Sequence, residues 1–271
     1  MLKDITIGQY FPGDSFVHKL DPRIKLIISI LYIIMLFMTD SYIAYLIVFI
    51  SLIFVIRISK IPVGMILKGI KPLKYIILIT FLMNIIFTKG ETLFVLGPIA
   101  IAKEGIDMAA KMAIRLIMLI MGTSMLTLTT SPIQLTDGLE SLLSPLKKIG
   151  FPVHSLAMMM TIAIRFVPTL IEEMDKIMKA QMARGADFDT GNIFQRAKSL
   201  VPILVPLFIS ALRRADELAT AMDARCYRGD DGRTKLNPLK YEQRDFVALF
   251  CYLVFFILIA NFSRIQNLLI A

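Results

Sequence analysis

Two cysteines and two histidines are all this chain has. Cys226 and Cys251 are too few for a disulfide framework, and Cys251 lies in an apolar run where a thiol packs as a small hydrophobe. His18 and His154 are far apart, so no Cys/His cluster has zinc-ligand spacing and no metal is expected. Charge is scarce: 19% of residues are Asp, Glu, Lys or Arg, against about 25% in soluble domains. The formal net charge is +9, but no basic run is interleaved with exposed aromatics, which argues against nucleic acid as a partner. There is no phosphate loop. Gly64 and Gly69 have its spacing, but Ile70 stands where the lysine belongs, so the chain is expected to bind no nucleotide or other cofactor. His154, Ser155 and Thr161 make no nucleophile with a positioned base. Glu172 and Asp175 share a helix face without a nearby histidine and read as salt-bridged surface. No catalytic residue is expected. Nor do the first 23 residues contain the apolar core of a cleavable leader.

What is present is membrane material. The chain is 56% hydrophobic, with mean hydropathy +0.71. A spanning helix takes about 20 mainly apolar residues. Residues 24–38, extended by Leu20 and Thr39, and residues 42–56 read as a hairpin around the polar corner Asp40-Ser41. Residues 75–87, 106–128 and 246–262 read as three more spans, and residues 92–102, with Gly97 and Pro98, as a small extramembrane turn or hairpin. The fold class expected is all-α: a polytopic membrane protein with about five or more transmembrane helices and a cytoplasmic pair of long coupling helices. Its parts are N-terminal membrane helices (1–130), a coupling domain (131–240) and a C-terminal transmembrane helix (241–271).

Basic flanks set the orientation. His18, Lys19, Arg23 and Lys25 precede the first span; Arg57, Lys60, Lys68, Lys71 and Lys74 lie between the second and third; the first corner has no Lys or Arg. That places the amino terminus and the region after the fourth span on the cytoplasmic side. Lys103, Lys111 and Arg115 fall on the outer side against this scheme, and Lys111 and Arg115 read as side chains snorkelling to the interface. Few ionisable or amide groups lie within the spans, and no chain of buried carboxylates forms a proton relay. This disfavours the alternative of a self-contained channel or secondary carrier.

The stretch from Ser131 to Arg244 is helical in pattern and carries paired charges, yet stays apolar on one face. Helices are expected from Pro152 to about Arg184 and from about Ile193 to Arg225 or Tyr227, kinked at Pro168, Pro202 and Pro206. Within them one phrase occurs twice. Asp175, Ala180, Ala183 and Arg184 recur 41 positions on as Asp216, Ala221, Ala224 and Arg225. The alanines are neighbours on one helix face and let another surface approach. The arginine offers a planar fork of donors, and the whole suits insertion of a helix tip into a groove. Arginine at a helix end is commonly only a cap; recurrence at one offset favours paired docking.

At these residues the chain resembles the transmembrane (T) component of energy-coupling factor (ECF) transporters. Ala183-Arg184-Gly185 and Ala224-Arg225-Cys226 look like that family's two X-Arg-X motifs. Asp21-Pro22-Arg23 with Lys25, and Arg165-Phe166-Val167-Pro168 leading to Glu173 and Gln181, match it too. The second motif departs from Ala-Arg-Gly at Cys226. The resemblance implies a cell-membrane scaffold that couples ATP hydrolysis in partners to uptake of a vitamin or other micronutrient. Two ABC-type ATPase subunits, holding ATP and Mg, would receive Ala183, Arg184 and Gly185 in one groove and Ala224, Arg225 and Cys226 in the other. A small membrane-embedded substrate-binding (S) subunit would contact Leu142, Leu143, Pro145, Met158, Met159 and Phe166. The methionines Met158–Met160, Met174, Met178 and Met182 make a surface able to repack, which is expected to accept several interchangeable S subunits. Membrane lipid is the remaining partner.

Overall fold

The computed structural model describes residues 10–96, 99–186, 188, 192–229 and 238–270. In chain order the elements are α1 (Pro22–Met38), α2 (Tyr42–Ser59), α3 (Val63–Ile70), α4 (Lys74–Phe87), β1 (Thr92–Leu96), β2 (Ile99–Ala102), α5 (Lys103–Thr129), α6 (Pro132–Leu143), α7 (Val153–Ala183), α8 (Ile193–Ser199), α9 (Val201–Ala224) and α10 (Gln243–Ile270). The architecture is that of an all-α polytopic membrane protein. The two strands form one antiparallel hairpin, Leu96 opposite Ile99, where the Gly97-Pro98 break predicts one.

Five helical stretches are long and apolar enough to cross a membrane by length and composition: Tyr42–Ser59, Val63–Phe87, Lys103–Thr129, Val153–Ala183 and Gln243–Phe262. Three details differ from expectation. The third stretch starts at Val63, not residue 75. Pro72 is accommodated in a single 3₁₀ turn, Lys71–Leu73, so Lys68, Lys71 and Lys74 stand on a helical run and not in a loop. The helix α1, at 17 residues, sits at the lower limit of spanning length. And α7, expected at the membrane face, has span-like composition, because Arg165 is the only Lys, Arg, Asp or Glu between Val153 and Leu170.

Packing divides the chain into two compact units, Met1–Leu142 with Leu239–Ala271, and Leu143–Pro238. The break lies beyond residue 131 because α6 packs on α1: a Cβ added at Gly138 would stand 3.1 Å from the Pro22 Cβ. In the first unit the core gathers on α1, α2 and α5, through Tyr32, Leu36, Val48, Leu52, Met118 and Met121. Gly122 lets α5 approach α1 closely. A methyl there would lie 2.1 Å from the Tyr32 ring, whose hydroxyl donates to the Met118 carbonyl at 2.9 Å.

At one end of this unit Arg115 donates to the Thr39 carbonyl and to Asp40, each at 2.9 Å, and to the Tyr45 hydroxyl at 3.1 Å. Lys111 pairs with Asp107 at 2.6 Å. Two of the three cations that counted against the orientation scheme, Lys111 and Arg115, are thus neutralised locally. Arg115 clamps α5 to the α1–α2 corner and does not simply snorkel.

At the other end, Asp245 in the first turn of α10 is 1% exposed. It accepts the backbone N–H of Asp21 and that of Glu242, both at 2.8 Å. Asp21 caps α1 through the Arg23 N–H and holds the Arg23 guanidinium in a two-point pair. The guanidinium also donates to Ser141 at 3.3 Å and lies 3.7 Å over the Tyr241 ring. Asp245→Ala leaves one buried and one part-buried donor unsatisfied and is expected to cost about 2–4 kcal/mol. Asp245→Asn, which keeps one acceptor, should lose about half as much. Thermal unfolding of the purified chain in mild detergent checks the order.

Candidate functional site

The second unit contains both arginine phrases, on α7 and α9, which pack together. Their register follows from side chains. Glu173 on α7 accepts from the Ser210 hydroxyl and from Arg214, whose NH2 lies at 2.7 Å and Nε at 3.1 Å. Gln181 donates to the Pro202 carbonyl at 3.3 Å. Eight residues forward on α7, from 173 to 181, answer eight residues back on α9, from 210 to 202. The helices therefore run antiparallel, and their carboxyl ends point in opposite directions. Glu173 and Arg214 are themselves 41 residues apart, the offset of the repeat, so the ion pair joins equivalent positions of the two phrases. Arg184 and Arg225 each follow the pair by 11 residues, about 16 Å of helix.

The two ends are built alike. At the end of α7, the Gly185 N–H donates to Met182 O and the Ala186 N–H to Gln181 O, both at 3.0 Å. At the end of α9, the Cys226 N–H donates to Asp223 O at 2.9 Å and the Tyr227 N–H to Met222 O at 3.1 Å. These are paired 5→2 and 6→1 bonds around a left-handed residue, the Schellman closure. Arg184 (φ −87°, ψ 7°) and Arg225 (φ −93°, ψ 13°) occupy the same cap position. The next residue has positive φ in both, 87° at Gly185 and 57° at Cys226. This gives the third residue of each motif a physical reason: glycine adopts that conformation freely, and cysteine does so under strain.

Ala180, Ala183, Arg184 and Gly185 are exposed, as are Ala221, Ala224, Arg225 and Cys226. Neither arginine has a side-chain hydrogen bond or ion pair among the described residues. Among the described residues, each arginine stands exposed beside a small-residue face. The residues proposed for an S subunit are more scattered. Leu142 and Leu143, on α6, are half-buried, and Pro145 is exposed in the following 3₁₀ turn, Ser144–Ile149. On α7, Met158 and Phe166 are half-buried while Met159 is 56% exposed. The helix expected over 193–225 is two, α8 and α9, meeting at Leu200. Pro202 lies in the first turn of α9, where a missing donor costs nothing. Pro168 and Pro206 lie inside continuous helices. The apolar residues Leu204, Val205, Phe208, Ile209 and Leu212 of α9 are each more than half exposed. The sequence pattern carries Glu173 without its partner Arg214, and the signal that links them is the shared offset of 41 residues.

Among the described residues no cluster of three or more His, Cys, Asp or Glu could hold a metal.

The chain is thus an all-α polytopic membrane protein with two matched arginine-bearing helix ends on antiparallel helices, and the class it falls in is that of membrane transport components. Residues 13–236 match the family model CbiQ, cobalt transport protein. The chain is 58% identical over 267 residues, 98% of each partner, to the energy-coupling factor transporter transmembrane protein EcfT of Clostridium kluyveri. It is 54% identical to that of Heliobacterium modesticaldum, covering 97% of this chain and 99% of the relative. With that of Bacillus subtilis identity is 47%, covering 90% and 93%. This chain belongs to that family, the transmembrane (T) components of energy-coupling factor transporters.

The left-handed cap residues can be tested directly. Gly185→Ala should weaken the α7 end by about 1–2 kcal/mol, and Cys226→Gly should strengthen the α9 end by about 0.5–1 kcal/mol. Amide hydrogen exchange at Ala186 and Tyr227 is the measurement: faster in the first variant, slower in the second.

Proposed function

We propose that this chain is the non-catalytic scaffold of an ECF importer for a vitamin or other micronutrient. Its coupling domain, residues 131–240, is cytoplasmic, and so is its amino terminus. Ala183-Arg184-Gly185 docks in a groove of one ABC-type ATPase and Ala224-Arg225-Cys226 in a groove of the other. The ATPases hold ATP and Mg; this chain binds neither. The apolar surfaces around Leu142, Leu143, Pro145, Met158, Met159 and Phe166 receive a membrane-embedded S subunit, and the exposed methionines let several such subunits exchange.

The observation that carries the reading is the pair of equivalent tips. Two like prongs facing opposite ways from a central ion pair match a partner that offers two like grooves, as a dimeric motor does. An exposed arginine beside small residues is the composition of an interface anchor. Two prongs also limit what one loss does, since the second keeps the partner tethered.

The experiment is co-expression with the two ATPases and an S subunit. Arg184→Glu or Arg225→Glu alone should weaken ATPase retention by roughly 2–4 kcal/mol. The double variant should lose both the ATPases and ATP-driven uptake while still inserting in the membrane. Uptake by the chain alone, indifferent to both substitutions, would establish the channel or carrier reading instead.

A further inference from the structure

Within the first unit, residues of α1, α2, α5 and α10 line a half-open groove of about 470 Å³. Its walls are apolar, with Ile28, Leu52, Met125 and Phe255 among them. It runs from Lys25 and Thr129 at one end to Tyr32 and Gly122 at the other. That is seven residues along each helix, about 10 Å. One end is charged. The Lys25 ammonium is buried, 7% exposed, and donates to the His18 carbonyl at 2.9 Å and the Thr129 carbonyl at 3.0 Å. An ammonium has three donors. No carboxylate lies within ion-pair distance of this one among the described residues. A second lining residue, Tyr252, has a buried hydroxyl with no hydrogen-bond partner.

We propose that this groove binds one anionic lipid, its acyl chain in the slot and its acidic head at Lys25. Asp21 and Asp245 lie near enough to act on this buried cation but neither touches it, so its desolvation is only partly offset, and a phosphate or carboxylate beside it offsets the rest through a charge-assisted hydrogen bond to the third donor. The slot is apolar below that point, which excludes a free polar anion as the whole ligand. The volume is within the ordinary range of small-molecule sites, about 300–1,000 Å³. An unbranched acyl chain fits an apolar groove of this volume, and a buried cation at one end favours an anionic head over an apolar helix face. A free fatty acid shares the chain and the acidic head of an esterified phospholipid, and the test separates the two. The site requires only that the first unit sit in a membrane and stands apart from the ATPase-docking reading.

The test uses the full chain in nanodiscs and lipids with a photoactivatable group on the acyl chain. Phosphatidylglycerol should label residues 122–129 and 248–255 roughly tenfold more than phosphatidylethanolamine bearing the same chain, a difference of about 1.4 kcal/mol. Lys25→Gln should abolish the preference. Ser51→Phe, which fills the slot and leaves Lys25 intact, should block labelling by every lipid and keeps the test decisive if Lys25→Gln misfolds. Labelling by the fatty acid alone supports the site with the free acid as its ligand. Equal labelling by the two phospholipids in the unaltered chain overturns the proposal. So does loss of labelling on adding the ATPases and S subunit, which would assign the slot to a protein.

Discussion

Everything in the first unit is anchored on one buried carboxylate pair and the guanidinium it holds. Asp245 and Asp21 are 1% and 6% exposed, and neither would be stable as an isolated charge. Asp245 accepts two backbone N–H groups, one from the turn before its own helix and one from Asp21. Asp21 then caps α1 and pairs with Arg23. The guanidinium completes the circuit by touching Ser141 and covering Tyr241. Ser141 and Tyr241 lie within three residues of the points where the chain leaves the first unit and returns to it. One arginine therefore touches both stretches of chain at the edge of the first unit. Lys25 extends the same arrangement to the end of α5 through the Thr129 carbonyl. Because each polar group is satisfied by another element, losing one member leaves several others exposed to the same penalty.

The second unit solves a different problem, holding two long helices at a fixed register with few buried residues. Of the residues on α7 and α9, only Val153, Ala157 and Ile203 are fully buried, so apolar burial cannot specify the crossing alone. The Glu173 carboxylate, shared by Ser210 and Arg214, supplies a directional contact. Its place is informative: it joins positions related by the internal repeat, so each arm carries the same length of helix from the contact to its arginine. The Schellman closures then fix where each helix stops. If a cap slipped by one residue, the arginine would turn by about 100° around its helix, away from the alanines beside it. The cap geometry and the small-residue face are two parts of one requirement.

Much of this was legible in the sequence because it depends on local chemistry. The apolar runs, the 92–102 hairpin and the ends of α7 and α9 follow from hydrophobic length, Gly and Pro placement and helix-stop signals. The repeated phrase with its two arginines was visible as a spacing. What remained hidden depends on partners distant in the chain. Arg115 reads as a cation near the start of a span; only its approach to Asp40, 75 residues away, makes it a clamp. Asp245 reads as an ordinary first-turn acid until Asp21, 224 residues away, donates to it. The continuity of α3 with α4 was missed for a local reason. Three lysines and a proline resemble a loop, yet a 3₁₀ turn accepts Pro72 and the lysine stems can lie along an apolar helix with their ammonium groups outward.

The apolar character of α7 and α9 bears on how such a scaffold can move. A helix that is apolar over its first half and charged over its second cannot be satisfied by water alone or by lipid alone. In α7 the division falls after Pro168: Val153–Leu170 carries one arginine, and Glu172, Glu173, Asp175, Lys176 and Lys179 follow. The charged half ends in the arginine tip, and the exposed apolar half, with Met159 and Met160, needs a hydrophobic neighbour. A partner gripping the tip and a partner covering the apolar half would thus pull on one rigid element. The Glu173 pair stands near the junction and carries that force to α9. Methionine on the apolar half lowers the cost of exchanging one neighbour for another, since its unbranched chain repacks without a fixed shape. In the proposed scaffold, motion and interchangeability both follow from this division of one helix, and neither requires a site of chemistry within the chain.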